Sequence, residues 1–327
     1  MLRPLRNMPA QPTSASDYFG FIQDQVFPSI VKELTHPGWT NPLTALLTVW
    51  LITFFLEVFL PKKKKYPVVG RKGFWLDLFY LFFIDFLFGA IGFVAFTYTV
   101  EYVFTNLLKK FGVELPLVHL PVMNPVLQFF IFFIIMDFCE FMAHYLLHRV
   151  EFFWKFHKIH HAQETMGFAS TRHFHFGEYL VLKPLGWIPF GLLGYSGEQY
   201  LSSVAIYFWL AYFLVFFSHC NVKIPFGFLS KIIITPENHY WHHAKNIPRK
   251  YGVNYASVLM IWDYLFHSYY LPDDPKLEPI LGVPDADVPK TFLGQTLYPF
   301  KTLFSKRKEK QSSILDKRKG SVPKQAK

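Results

Sequence analysis

The chain has 327 residues, of which 52% are hydrophobic, 20% aromatic and only 17% charged. Thirty-nine phenylalanines exclude an ordinary water-soluble protein, so the composition predicts an integral membrane protein with several spans. The net charge of +10 comes from short basic runs beside apolar segments and from the C-terminal tail. This distribution is typical of cytoplasmic membrane loops and disfavours nucleic-acid binding.

Apolar runs divide the chain into four parts. The first is a polar N-terminal segment with one expected interfacial helix, and the second contains two membrane spans. The third is the expected catalytic domain, and the fourth is a C-terminal extension that ends in a basic tail of disordered composition. The boundaries of these parts are 1–42, 43–125, 126–275 and 276–327.

Four segments are apolar and long enough to cross a bilayer. The second of them is unusual because it carries Asp77 and Asp85, and acids inside a span usually have a function. The fourth is the returning arm of a predicted helical hairpin, 179–217, whose first arm is interrupted by two prolines. The predicted spans are Leu43–Leu60, Phe74–Thr99, Val126–Tyr145 and Tyr200–Phe217.

Basic residues set the expected orientation of these spans. The run Lys62–Lys65 places the first loop in the cytoplasm and the N-terminus outside. Counting spans from there puts every histidine motif and the basic tail on the cytoplasmic side. The predicted fold is therefore an all-α integral membrane protein with about four transmembrane helices and a cytoplasmic, histidine-rich helical cap in water. The expected location is a bacterial inner membrane or the endoplasmic reticulum.

Three histidine motifs lie in the third part. An HxxxH pair stands on the third span, so its two imidazoles leave one helix face, and Asp137 and Glu140 precede it on that face. Two HxxHH clusters follow, one soon after the span and one far downstream. The histidines of the three motifs are His144, His148, His157, His160, His161, His239, His242 and His243.

Eight histidines are too many for one tetrahedral zinc ion and suit two metals that share a site. Neutral imidazole binds iron, copper and zinc alike, so the ligand type leaves the metal open. All-nitrogen ligation facing a membrane, without the HExxH of a zinc protease, favours redox chemistry. The pattern indicates activation of dioxygen by paired iron and attack on a C–H bond. The alternative from another class is a zinc protein with a structural or transport role.

The order and spacing of these motifs resemble the fatty acid hydroxylase/sterol desaturase superfamily of membrane di-iron oxygenases. The resemblance covers about residues 126–270 and includes Trp154 ahead of FHKIHH, the stretch FSHCNVKIP, and TPENHYWHHA. NYASVLMIWDYLFHSY is similar to the family ending N-Y-G…W-D-x-x-F-G-T-Y, with His267 and Ser268 where Gly-Thr is usual. The resemblance implies two histidine-bound iron ions, O2 as co-substrate, an external electron donor, and hydroxylation or desaturation of a lipid.

The resemblance also implies further site residues. His219 matches a family position between the second and third motifs and is an expected metal ligand. FHFGE resembles the family's F-H-P-x-E without its proline, which makes His175 another candidate ligand. Asp137 and Glu140 are expected to orient ligand imidazoles or to bind the cap by hydrogen bonds. Together with Asn221 they are the candidate catalytic residues.

Electrons are expected from a separate protein. The chain shows no GxGxxG for a flavin or nicotinamide and no cysteine cluster for an iron–sulfur centre. A cytochrome b5, a ferredoxin or a reductase is the expected donor, and basic residues beside the histidines would attract an acidic one. These residues are Lys155, Lys158, Lys245, Arg249 and Lys250. The expected substrate is a fatty acyl, sterol or ether lipid, and the sequence leaves hydroxylation and desaturation both open.

Overall fold

The computed structural model describes residues 42–85, 106–113, 124–178 and 198–304, except 275, 285 and 286, and the isolated positions 20, 23, 24 and 28. Within these ranges the chain is helical and forms no β-strand, which confirms the predicted all-α class. The helices are α1 (Pro42–Phe59), α2 (Phe74–Phe82), α3 (Pro125–Arg149), α4 (Glu151–His161), α5 (Glu198–His219), α6 (Pro236–His242), α7 (Ile261–Leu265) and α8 (Phe292–Phe304).

Among the described residues one helix, Val126–Arg149 within α3, is long and apolar enough to cross a membrane. Thr44–Phe59 in α1 and Trp209–His219 in α5 are apolar but shorter. The predicted second span is described only as far as residue 85. The first arm of the hairpin, the basic tail and almost all of the interfacial helix lie outside the described residues, so the four-span arrangement stays a prediction.

The sequence at the ends of α3 fixes where the first histidine pair lies. The Asn124 side chain accepts a hydrogen bond from the Val126 backbone N–H, and Pro125 stands at the first turn, where a missing N–H costs nothing. The helix ends at Arg149 because Val150 is extended, with φ −93° and ψ 115°, and α4 begins at the next residue. This one-residue break folds α4 back, so that its histidines meet those of α3.

The two largest apolar clusters join helices that are distant in the sequence. The first joins α1, α2 and α5 through residues such as Val49, Leu81 and Phe216. The second joins α3 and α5 to two non-helical segments, 232–234 and 256–260. Its members are Phe132, Met136, Tyr207, Ala211, Leu214, Ile234, Ala256, Val258 and Met260. These two segments therefore lie along the sides of the helices rather than beyond their ends.

The two acids of the predicted second span have cationic partners close to the histidine-rich segments. Asp77 binds both Arg71 and His173, and all three side chains are buried. Asp85 accepts a hydrogen bond from Arg172 Nε at 2.8 Å. Because an unpaired buried charge is costly, these pairs fix the first loop and α2 against the turn that follows α4.

Candidate metal centre

Nine of the fourteen histidines converge where α3, α4, α5 and α6 meet. They form two adjoining groups, and within each group the ligand atoms all lie within 4.8 Å of one another. Every member is buried except His144, which is half-buried. The five-histidine group consists of His144, His148, His157, His161 and His242, and the four-histidine group of His160, His219, His239 and His243.

Helical spacing divides each HxxHH cluster between the two groups. The first and last histidines of a cluster are four residues apart, share a helix face and stay in one group. The middle histidine projects from a neighbouring face, so His160 of α4 joins the four-histidine group and His242 of α6 joins the five-histidine group. The rings of His161 and His243 stack across the boundary with centroids 4.3 Å apart.

One backbone segment, 251–255, fixes three imidazoles of the five-histidine group. Three of its alternate carbonyl oxygens face histidine Nδ1 atoms, and a carbonyl only accepts, so each Nδ1 carries the hydrogen and each Nε2 presents a lone pair. The pairs are His148 with Tyr251 (3.0 Å), His242 with Val253 (2.7 Å) and His144 with Tyr255 (2.9 Å). The intervening Gly252 and Asn254 have φ of 108° and 56°, which glycine and asparagine adopt most easily.

Replacing Gly252 by alanine is expected to lower bound metal and turnover by about tenfold or more, since a strained backbone residue costs about 1–3 kcal/mol. A Cβ at this position would lie 3.1 Å from both His148 Nδ1 and Tyr255 Oη, at a φ that alanine rarely adopts. Metal content and product formation give the measurement. Gly227→Ala is the matched control, because Gly227 also has a positive φ but no atom within 4 Å of an added Cβ. Equal losses in both variants would contradict a specific effect on His148.

The donor set of the four-histidine group fits a metal ion. Nδ1 of His219 lies 2.8 Å from the Val215 carbonyl oxygen and Nδ1 of His160 lies 3.2 Å from that of His173. Both Nε2 atoms therefore carry lone pairs, yet they face each other at 3.3 Å. Two lone pairs at this distance repel, and a cation between them would remove the repulsion. In the five-histidine group the buried Nε2 atoms of His148 and His242 likewise have no hydrogen-bond partner.

Burial keeps these imidazoles neutral. Desolvation lowers the pKa of His157, His160 and His161 well below the usual value, and the neighbouring imidazoles lower it further. The same causes lower the pKa of the three histidines from α6 and its C-terminal end, His239, His242 and His243. A neutral ring is the form that binds a metal, so the site needs no deprotonation at pH 7.

The fatty acid hydroxylase family matches residues 129–268, a stretch that contains all nine histidines of the two groups. This part of the chain is therefore similar to the fatty acid hydroxylase family. The match falls inside the third part predicted from the sequence, while the boundaries of the four parts stay predictions.

Three relatives show how far the similarity extends. The chain is 34% identical over 170 residues to ornithine lipid hydroxylase OlsE of Rhizobium tropici. It is 29% identical over 153 residues to alkylglycerol monooxygenase of Caenorhabditis elegans, and 29% over 139 residues to that of Homo sapiens. The alignments cover 51%, 45% and 42% of this chain, and 48%, 28% and 29% of the relatives. The chain thus spans about half or less of their length, and no solved structure matches it.

The chain has His267 and Ser268 where the family ending has Gly-Thr, and the turn at these residues still forms. His267, where the ending has glycine, has a φ of 53°. Glycine adopts this conformation without strain, which explains its place in the pattern. The buried Asp263 holds the same turn, since its backbone oxygen accepts the N–H groups of Ser268 and Tyr269.

His175 lies outside both histidine groups. Its Nε2 faces the Thr296 carbonyl oxygen at 3.0 Å, and its Nδ1 accepts the Gly177 N–H at 2.9 Å. The backbone occupies both ring nitrogens, so the structure does not bring His175 to either histidine group. His219, in contrast, lies in the four-histidine group at the end of α5, as the resemblance implied.

The three candidate catalytic residues lie outside both histidine groups. Asp137 accepts three hydrogen bonds of 2.8–3.1 Å from the 258–262 segment, so it binds the cap, which is one of its two predicted roles. Asn221 exchanges two hydrogen bonds with the backbone of Lys64. Glu140 is half-buried on the same helix face as Asp137. A catalytic role for these residues stays a prediction.

Glu178 supports the centre although its role was not predicted from the sequence. Its Oε2 lies 2.9 Å from Nδ1 of His157, and both side chains are buried. Glu178 therefore fixes the orientation of the His157 ring, as the carbonyls of 251–255 fix the rings of three other histidines. The sequence signal for Glu178 is its place at the end of FHFGE, a motif in which His175 was the predicted ligand.

Replacing Glu178 by alanine is expected to lower metal affinity and turnover by about 10- to 100-fold, the usual effect of removing the partner of a ligand histidine. Glu178→Gln keeps an acceptor oxygen at the same place and should retain most of both. Titration with ferrous iron and product formation by the two variants provide the test. An unaffected alanine variant would show that His157 needs no partner.

Proposed function

We propose that this chain is a membrane-bound di-iron oxygenase that hydroxylates a C–H bond of a lipid. The observation that carries the proposal is the pair of adjoining all-imidazole groups within a fatty acid hydroxylase domain. Each group would hold one iron ion, and when bound the two ions supply the activation of O2. The overall reaction converts a C–H bond, O2, two electrons and two protons into an alcohol and water.

The protein's own residues position and protect this chemistry. The carbonyls of 251–255 and the Glu178 carboxylate orient four of the five imidazoles of the five-histidine group. The side chains of Trp154 and Tyr255 pack against the same group, with ring centroids 5.1 Å and 4.9 Å from that of His148. These aromatic rings exclude water from one side of the site.

The proposed substrate is a polar lipid with a long acyl or alkyl chain. The relatives named for ornithine lipid and for alkylglycerol support this class. They are named hydroxylase and monooxygenase, which favours hydroxylation over desaturation. Mass spectrometry of membrane lipids from cells with the chain and with its His160→Ala variant tests the proposal. A lipid that gains one oxygen atom supports it, loss of two hydrogens indicates a desaturase, and no change together with bound zinc indicates the non-redox alternative.

We place the metal centre on the cytoplasmic side of a bacterial inner membrane or of the endoplasmic reticulum. The basic first loop lies against the histidine-rich segments, since the backbone of Lys64 is bound by Asn221 and the Tyr66 hydroxyl by the Met166 backbone. Because basic loops face the cytoplasm, this contact supports a cytoplasmic centre.

A tag added after Lys327 is expected to be protected from protease in intact cells or sealed right-side-out vesicles. The reason is that the centre and the basic tail are placed on the same, cytoplasmic side. Disruption of the membrane should make the tag cleavable, which controls for tag accessibility. Cleavage in sealed vesicles would contradict the proposed orientation but would not contradict the proposed metal site.

An external donor, such as a cytochrome b5, a ferredoxin or a reductase, would supply the two electrons. Lys245, Arg249 and Lys250 are exposed beside the third motif and suit an acidic partner. Lys155 and Lys158, predicted with them, have other partners: Lys158 is buried against Asp287 and Tyr298, and Lys155 donates to the Thr302 carbonyl oxygen. The proposed docking surface is therefore smaller than the sequence indicated.

A further inference from the structure

We propose that segments 227–234 and 256–265 are inserted into the lipid bilayer beside α3. The inference rests on the proposed membrane placement of α3 and replaces the expectation of a cap entirely in water. The lipid-facing surface of these segments consists of Phe228, Leu229, Ile232, Ile261, Tyr264 and Leu265, all exposed. Lys231 is exposed beside them, and its long apolar stem can carry the charge toward the headgroups. Six large apolar side chains in contact with water would be unusual, and acyl chains are the environment that suits them.

The depth of these segments along α3 is the first support. Val258 and Met260 pack in one cluster with Phe132 and Met136 of α3. Asp137, whose carboxylate binds Val258, Leu259 and Trp262, precedes His148 by eleven residues, or about 16 Å along the helix axis at 1.5 Å per residue. A hydrocarbon core is about 30 Å thick, so a span that ends near the histidines places this cluster well inside it.

The apolar surface of α3 continues onto the lipid-facing surface. α3 exposes one row of apolar residues at four-residue steps, and lipid contacts this row if α3 is a span. The row consists of Val126, Phe130 and Ile134. The next position of the row, Phe138, is covered by Trp262, with ring centroids 4.9 Å apart. Trp262 belongs to α7. Where α7 covers α3, the exposed residues of α7 therefore continue the apolar surface.

Internal hydrogen bonds satisfy the irregular backbone, as lipid surroundings require. The Asp137 carboxylate accepts the N–H groups of residues 258 and 259, and the Asp263 carboxylate accepts those of 255 and 256. The N–H of Ile234 donates to the Val258 carbonyl, and that of Met260 donates to the Ile232 carbonyl. A loop in water could leave these groups to the solvent. Here two buried acids bind them instead, which accounts for an aspartate in the middle of α3.

Photo-crosslinking in a bilayer tests the insertion. p-Benzoylphenylalanine replaces Phe228 or Leu265, whose exposed fractions are 72% and 60%, and exposed Lys250 serves as the control position. The full chain is reconstituted into vesicles of phosphatidylethanolamine and phosphatidylglycerol that contain a radiolabelled phospholipid, and is then irradiated. We expect labelled lipid adducts at positions 228 and 265 that are several-fold above those at position 250. Leu229 replaces Phe228 if that variant is not recovered in vesicles.

Two outcomes would overturn the proposal. Lipid labelling at 228 and 265 no higher than at 250 would mean that the surface faces water. Crosslinks between two protein chains in place of lipid adducts would mean that a second copy covers it. Iron content and lipid hydroxylation of the same preparations report on the proposed function separately. Lipid adducts without iron would reject the di-iron assignment and still support insertion.

Discussion

Replacing His160 by alanine is expected to abolish lipid hydroxylation, with a loss above the roughly 10- to 100-fold that follows removal of a ligand's partner. Its Nε2 lies 3.3 Å from that of His219, and its ring lies 4.6 Å from that of His243 between centroids. Without it the four-histidine group keeps three imidazoles, which leaves one ion under-coordinated and misplaced. Metal content and product formation should fall together, while membrane insertion should be unchanged because the helices do not depend on the ion.

His175→Ala is the matched control for this experiment. His175 is as buried as His160 and also belongs to a family-like motif, but it lies outside both groups. Its removal creates a similar cavity without removing a ligand, so metal content should be kept. If both variants lose metal equally, general loss of structure is the cause. Near-normal activity and iron content in His160→Ala would reject a shared two-metal site.

Eight of the nine histidines of the metal centre could be predicted from the sequence because they belong to motifs with helical spacing, and His219 was implied only by the family resemblance. An HxxxH pair on a helix and two HxxHH clusters bring imidazoles together through helical geometry, whatever the rest of the fold does. How the two clusters divide could not be read, because the placement of His160 and His242 depends on how α4 and α6 face each other. The anchoring carbonyls of 251–255 leave only Gly252 and Asn254 as sequence signals, since a backbone oxygen has no residue type.

Long-range contacts explain the remaining differences between the sequence predictions and the structure. The sequence predicts that Lys158 attracts an acidic donor, but Asp287 and Tyr298 bury it from a distant part of the chain, at positions without any local pattern that indicates the contact. Asp137 was a usable signal: an acid near the middle of an apolar helix requires partners. Its partners lie more than a hundred residues away, so the sequence could predict that they exist and not which they are.

Removing metal with a chelator is expected to abolish hydroxylation, and ferrous iron should restore it with about two ions per chain, one for each histidine group. The ligand atoms of each histidine group already lie within 4.8 Å of one another, so the site should reform without refolding. Zinc also binds imidazole and should fill the site. It cannot exchange electrons, and a zinc-loaded protein should therefore be folded and inactive. Full activity with zinc would reject the redox assignment, and a ratio near one would reject the two-ion site.

The metal-free protein should also become less stable as the pH falls. Burial lowers the pKa of His157, His160 and His161 below the usual value of 6.5, so below this pH the unfolded chain binds protons that the folded chain does not. Unfolding is then favoured progressively at lower pH, and protons compete with the metal for the same nitrogen atoms. Melting temperatures of the chelated protein in detergent should fall between about pH 7 and pH 5.5, while bound iron should reduce the fall near pH 7. A melting temperature independent of pH would mean that the imidazoles are open to water and that the buried, convergent site is wrong.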